Sequence, residues 1–207
     1  MGFYQDRVLP HIIDKTCGMP ALKPVREQAC APLHGRVIEI GFGSGLNVAV
    51  YPDEVAEVSA VEPSDVAWSM AADRVHAAPI RIERSGLDGQ RLPFESGTFD
   101  AALSTFTLCT IPDAEAALAE VRRVLRPDGV FAFLEHGHAP DEKVSRWQRR
   151  LEPIQKRVAG GCHLTRDIRG LVTESGFRLV DVDTFYQPDT PRPVSYTHLT
   201  LPTSDLV

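Results

Sequence analysis

Three alternate glycines, Gly41, Gly43 and Gly45, follow an apolar run in which Glu39 sits two residues ahead of the first. Glycine lacks a Cβ, so a backbone here can take φ > 0 without strain and come close to a ligand. A nucleoside-bearing cofactor suits such a turn. A dinucleotide fingerprint, G-x-G-x-x-G, would need its third glycine at position 46, where Leu46 stands. Glu62 closes a second apolar run 17 residues after Gly45. A carboxylate there can accept charge-assisted hydrogen bonds from both vicinal hydroxyls of a ribose. The bland alternatives are a glycine-rich turn with no ligand and a merely solvated acid. The position of Glu62 relative to the glycine turn favours the nucleoside.

These residues need a sheet to hold them. Strand-like runs at 37–40, 57–61, 80–83, 100–105, 130–134 and 177–182 alternate with helical ones, the pattern of a parallel sheet covered by helices. The fold class is α/β, a Rossmann-like doubly wound sheet in three αβα layers. Ser64 is placed to cap a helix running to about Arg74. Asp113 opens another, with Leu118, Val121, Val124 and Leu125 as one apolar stripe. Arg126-Pro127-Asp128-Gly129 ends that helix, because proline disfavours helix in the residue before it. Thr165 starts a short helix turning Ile168, Leu171 and Val172 inward, and Gly176 stands where a C′ residue belongs. Residues 1–35, with Val8, Leu9, Ile12 and Ile13, read as a helical lid or as a simple packing element. Residues 36–193 form the main domain, and its insertion at 136–164 rims the carboxyl ends of the strands, where substrates are recognised.

A chain of 207 residues, 43% hydrophobic and 24% charged, fits one domain with a sizeable core. The net charge of −6 argues against nucleic acid as a partner, since phosphate neutralisation needs a concentrated basic face. No apolar run reaches the roughly 20 residues of a membrane helix, so membrane contact is at most peripheral. Cys17, Cys30, Cys109 and Cys162 are widely spaced, without a C-x-x-C pair or histidines at zinc spacing. No metal site is expected from that spacing, and a reduced, cytoplasmic setting fits it. No secretion signal stands at the N-terminus, and Asp6 spoils a myristoylation signal at Gly2.

The acid-x-G-x-G-x-G turn resembles the first motif of class I S-adenosylmethionine-dependent methyltransferases. The resemblance continues through Leu87-Asp88, Leu92-Pro93-Phe94 and Phe99-Asp100, then Val124-Leu125-Arg126-Pro127-Asp128-Gly129, where Asp128 replaces a glycine of the family pattern. Leu108-Cys109-Thr110-Ile111-Pro112, Glu135-His136-Gly137 and the stretch 160–166 are similar to the type 11 branch. That branch includes small thiol or alkyl methyltransferases and bacterial phospholipid or quinol methyltransferases. The resemblance implies S-adenosyl-L-methionine as cofactor and a small-molecule or lipophilic acceptor with a thiol, amine or hydroxyl. It puts Asp88 at the adenine amine with Leu87 as apolar wall. It also puts the backbone carbonyls of Ser104 and Thr105 at the methionine end, while Glu39, just before the turn, can orient loop amides or, through water, meet the methionine ammonium.

Methyl transfer is an in-line displacement, so the protein chiefly aligns its reactants and excludes water. An oxygen or sulfur acceptor must lose a proton, and His136 and then His163 are the candidate bases. A non-catalytic cofactor-binding or regulatory protein on the same fold is the alternative function. A nicotinamide oxidoreductase fails on glycine spacing. Residues 194–203 look like translated sequencing-library adapter, so 194–207 reads as a non-native tail, with the family's final antiparallel strand missing or replaced.

Overall fold

The structure, a computed structural model, describes residues 2–187, 190–194 and 196–201. Two helices, α1 (Leu9–Cys17) and α2 (Lys23–Cys30), precede strand β1 (Gly35–Ile40). The chain continues through β2 (Val55–Val61), the short helices α3 (Asp65–Met70) and α4 (Ala72–Ala77), and β3 (Arg81–Gly86). Then come β4 (Phe99–Thr105), α5 (Ala114–Val124), β5 (Leu125–His136), α6 (Glu142–Val158), α7 (Ile168–Glu174), β6 (Asp181–Tyr186) and β7 (Tyr196–Leu201). The sheet order is β3-β2-β1-β4-β5-β7-β6. The first five strands pair in parallel, and β7 runs antiparallel to both β5 and β6.

Both faces of the sheet are covered, and neighbouring residues on a strand point to opposite layers. Ile38, Ala102, Phe131 and Phe133 pack toward α5 and α7, beside Leu118, Val121, Ile168 and Val172. Val37, Ala101, Leu103 and Ala132 pack the other way, with Leu33 and Val58. Chain order reverses between β1 and β4, which opens a crevice at their carboxyl ends. The glycine turn leaves β1 at that crevice.

Several boundaries differ from expectation. The helix after Ser64 breaks at Met70 into two segments, although the Ser64 hydroxyl does accept the Ala67 amide at 3.2 Å. Leu125 is the first residue of β5, opposite Phe99, and the next register pair is Ala101 with Val130, so 126–129 bulge out within the strand. The cap of α7 is Asp167, whose carboxylate accepts the Gly170 amide at 3.0 Å, because the Thr165 side chain is held by Glu152. The sixth strand starts at Asp181; Phe177 instead turns inward onto Phe131, with ring centroids 5.1 Å apart. The antiparallel strand expected to be missing or replaced is present as Tyr196–Leu201, slotted between β5 and β6. Its Tyr196, Thr197, His198 and Leu199 are all buried, as an interior strand requires. Residues 202–207 of the expected tail lie outside the described residues. Among the described residues no helix is long and apolar enough to cross a membrane.

Candidate functional site

The glycine turn is built as its residue types demand: φ is +73° at Gly41, +59° at Gly43 and +76° at Gly45. A Cβ at Gly41 would collide with the Thr107 side chain, and one at Gly45 would crowd Phe42, Ala71 and Val48. A Cβ at Gly43 would meet only the Gly41 carbonyl, at 3.9 Å. The middle glycine therefore faces open space, while the outer two are backed by protein.

Glu62 closes over this turn. Its carboxylate accepts the Gly43 and Ser64 amides, each at 2.7 Å, and burial raises its pKa against the pull of those two bonds. Glu39 lies beneath, 1% exposed, and accepts Asn47 Nδ2 at 2.8 Å and the Tyr51 hydroxyl. Burial pushes the Glu39 carboxyl up to about 7, although Tyr51, Asn47 and Arg26 all favour its charged form. Arg26, from α2, donates to Asn47 Oδ1 at 2.7 Å and to Thr105 Oγ1 at 3.2 Å, and its Nε has no partner. Arg26, Asn47 and Tyr51 escaped sequence reading. Asn47, two residues past the last glycine, was within reach of it; Arg26 comes from a helix with no motif.

The other expected residues are distributed as follows. Asp88 is exposed and accepts the Gln90 amide at 2.9 Å, stiffening the turn after β3. A Cβ at Gly89 would lie 2.8 Å from Ile40, so this turn abuts the end of β1. Leu87 is 61% exposed, an apolar side chain without protein cover. The Ser104 hydroxyl is committed to Glu135 at 2.9 Å, and Thr105 Oγ1 belongs to the Arg26 and Asn47 network. Phe106, just beyond β4, holds φ +53°, a strained value for a non-glycine residue at the mouth of the crevice.

α1 sits on the glycine turn. Asp14 accepts the Ser44 hydroxyl at 2.6 Å and Arg74 at 3.1 Å, and Arg74 also donates to the Ser44 carbonyl at 2.7 Å.

The two histidines occupy different settings. His136 Nε2 stands 3.3 Å from Cys162 Sγ and 3.9 Å from Cys109 Sγ. Burial pulls the His136 pKa down, but Cys162 and Glu135 together favour the charged ring and the net shift is upward. The Cys109 thiol, hydrogen bonded to Cys162, holds the latter below the ordinary thiol range. His163 is partly exposed, with Nδ1 3.4 Å from Glu152. Burial, helped by Arg166 and Lys156, lowers its pKa, which keeps the ring neutral near pH 7. Spacing along the chain gave no sign that Cys109, His136 and Cys162 converge.

Residues 38–133 match the family model described as a methyltransferase domain. The chain is 32% identical over 158 residues to thiol S-methyltransferase TMT1B of Rattus norvegicus, covering 73% of this chain and 63% of that protein. It is 30% identical over 166 residues to malonyl-[acyl-carrier protein] O-methyltransferase of Geobacter sulfurreducens, covering 75% and 62%. The chain thus spans less than two thirds of the length of these relatives. A Leishmania major S-adenosylmethionine-dependent methyltransferase structure superposes with a TM-score of 0.69 at 16% identity, covering 96% of this chain and 80% of that one. One from Aquifex aeolicus gives 0.61 at 16%, covering 94% and 98%. These two structures are described as S-adenosylmethionine-dependent methyltransferases, and their fold is found here. The chain belongs to the class I S-adenosylmethionine-dependent methyltransferases, in the branch of the type 11 methyltransferase domain.

Proposed function

We propose that this protein transfers a methyl group from S-adenosylmethionine to a small or lipophilic acceptor through a thiol, amine or hydroxyl, with thiols the leading class. The observation that carries the reading is the open face of Gly43 between Glu62 and the buried Glu39, Asn47 and Arg26 network. That donor set fits the cofactor's groups: an acid for the ribose diol, an acid for an ammonium, and a guanidinium with a spare N–H for a carboxylate. Glu62 takes the ribose, Asp88 the adenine amine with Leu87 against the ring, and Glu39 and Arg26 the two charged ends of the methionine. The backbone of Ser104 and Thr105 supports that same end. When bound, the cofactor supplies an electrophilic sulfonium methyl.

The thiol preference draws on the thiol S-methyltransferase relatives in rat and human. Where an acceptor must lose a proton, His163 accepts it, neutral and oriented by Glu152. His136 has its ring nitrogen turned to two sulfurs and is less free to serve. α1 acts as the lid, through its tie to the glycine turn.

Titration calorimetry with S-adenosylmethionine, followed by transfer of labelled methyl to pools of thiols, lipid amines and quinols, tests this reading. Glu62→Ala should weaken cofactor binding by about 1.5–3 kcal/mol, the worth of a charged hydrogen bond. His163→Gln should lower kcat with thiol and hydroxyl acceptors and leave cofactor affinity unchanged. Undiminished affinity in Glu62→Ala would refute the ribose assignment. Cofactor binding with no transfer to any pool would favour a binding protein over an enzyme.

A further inference from the structure

Three segments far apart in sequence meet behind the crevice: the loop after β4 with Cys109, the end of β5 with His136, and the loop after α6 with Cys162. Their ligand atoms, two Sγ and one imidazole nitrogen, lie within 4.8 Å of one another. Neither Cys109 nor Cys162 is in a disulfide, and both are almost wholly buried, at 1% and 2% exposure. Two sulfurs and a nitrogen around a tetrahedral Zn²⁺, with bonds near 2.3 and 2.0 Å, stand roughly 3.5–3.8 Å apart. The present separations of 3.3 and 3.9 Å from His136 Nε2 to the sulfurs bracket that range.

We propose that Cys109, His136 and Cys162 form a site for a thiophilic divalent cation, Zn²⁺ foremost, with one coordination position left for water or an exogenous ligand.

The surroundings hold these donors in place. Glu135, fully buried, accepts the amides of Thr107 and Leu108 at 2.8 and 2.9 Å and that of Cys109 at 3.4 Å, so the loop carrying the first sulfur is fixed by the residue next to His136. Arg166 donates to the Leu108 and Ile111 carbonyls, clasping the same loop from the other side. The His163 amide donates to the Cys109 carbonyl at 2.9 Å, which joins the two cysteine loops directly. Gly160 and Gly161, at φ +62° and +90°, make the tight turn that brings Cys162 inward. Leu164 is buried with both cysteines, and Leu151 and Ala159 pack against them, so the sulfurs are backed by apolar side chains while His136 stays half-buried.

Charge also favours a cation. Two thiolates and a neutral imidazole balance a divalent ion, so the occupied cluster buries no net charge. Each cysteine that enters as a thiol forms one metal–sulfur bond and releases one proton to solvent, and His136 gives the lone pair of Nε2. Three protein donors with a fourth place open is the ligand count of reactive rather than purely structural zinc sites. The chemistry selects a soft ion over Mg²⁺ or Ca²⁺, which take oxygen ligands.

The test uses the full chain, purified with a non-thiol reductant, stripped with a chelator and titrated with Co²⁺. One equivalent should produce thiolate-to-cobalt charge-transfer absorption, and Zn²⁺ should abolish it by displacement. Cys109→Ser and Cys162→Ser should each remove most of the absorption and weaken binding by roughly 100-fold or more, beyond what outer-shell changes cost. Cys30→Ala, a buried cysteine in another part of the core, should bind as the parent does. If Cys109→Ser fails to fold by circular dichroism, Cys162→Ser and His136→Gln carry the test. Absence of charge-transfer absorption in the parent, unchanged absorption in the cysteine variants, or a Cys109–Cys162 disulfide under the same reducing conditions would each overturn the proposal. None of these readouts depends on methyl transfer.

Discussion

Glu39 illustrates how burial and partners compete at one residue. Desolvation lifts its pKa from 4.5 to about 7, despite three neighbours that favour the anion. The folded state therefore holds this proton where the unfolded chain has released it, and stability contributed at Glu39 is lost as pH rises from about 4.5 to about 7. Glu39→Gln, which cannot titrate, should gain on the parent across that window by on the order of 3 kcal/mol, one pKa unit being about 1.36 kcal/mol. Urea unfolding at several pH values measures it; a constant difference between parent and variant would contradict the assignment. The acid itself was legible from its place before the glycines. Its partners were not, because Arg26 and Tyr51 reach it only through the tertiary fold. Glu62 was legible as well, but its grip on the Gly43 amide was not, since the turn had first to fold back onto the strand end.

At the scale of elements, the parallel strands and α5 were readable because both faces of the sheet are apolar and the α5 stripe keeps helical spacing. Asp113 caps α5 as its position implied, its carboxylate accepting the Ala116 amide at 2.9 Å. Asp113→Ala should cost about 1 kcal/mol, seen as a lower urea midpoint with an unchanged slope. A change of slope instead would mean that more than the cap had been lost. The neighbouring helix shows why such signals fail. Thr165 looks like a cap, but Glu152 engages both its amide and its hydroxyl, and the role passes to Asp167. The β6 boundary slipped for a similar reason: Phe177 and Leu179 are apolar enough to open a strand but pack against the helical layer of the core. Local pattern cannot tell an inward loop residue from the first residue of a strand.

For the whole molecule, the C-terminal strand is the element whose presence was least expected. Sequence resemblance marked 194–207 as foreign, and one buried side chain of the strand fits its place poorly. His198 is buried with neither ring nitrogen partnered, and burial pulls its pKa down to about 4. Whatever its origin, the strand fills a gap between β5 and β6 that would otherwise leave two edges bare. Leu199 is fully buried against Ala29 and Leu134, so Leu199→Ala should destabilise the fold by about 2–5 kcal/mol in urea unfolding. A loss below about 0.5 kcal/mol, as surface changes give, would mean that the strand adds little to the sheet.

The Asp14, Ser44 and Arg74 contact ties α1 across the glycine turn, and its charged side chains are 39% exposed for Arg74 and 27% for Asp14. In the lid role proposed for α1, a ligand in that turn would leave only when α1 lifts, so the clamp would act on residence time. Charges this exposed are screened over about 8 Å at physiological ionic strength, and added salt loosens the clamp. Where departure of the spent cofactor limits turnover, as it does in many enzymes with a lid, the rate would then follow ionic strength even though the bond-making step does not.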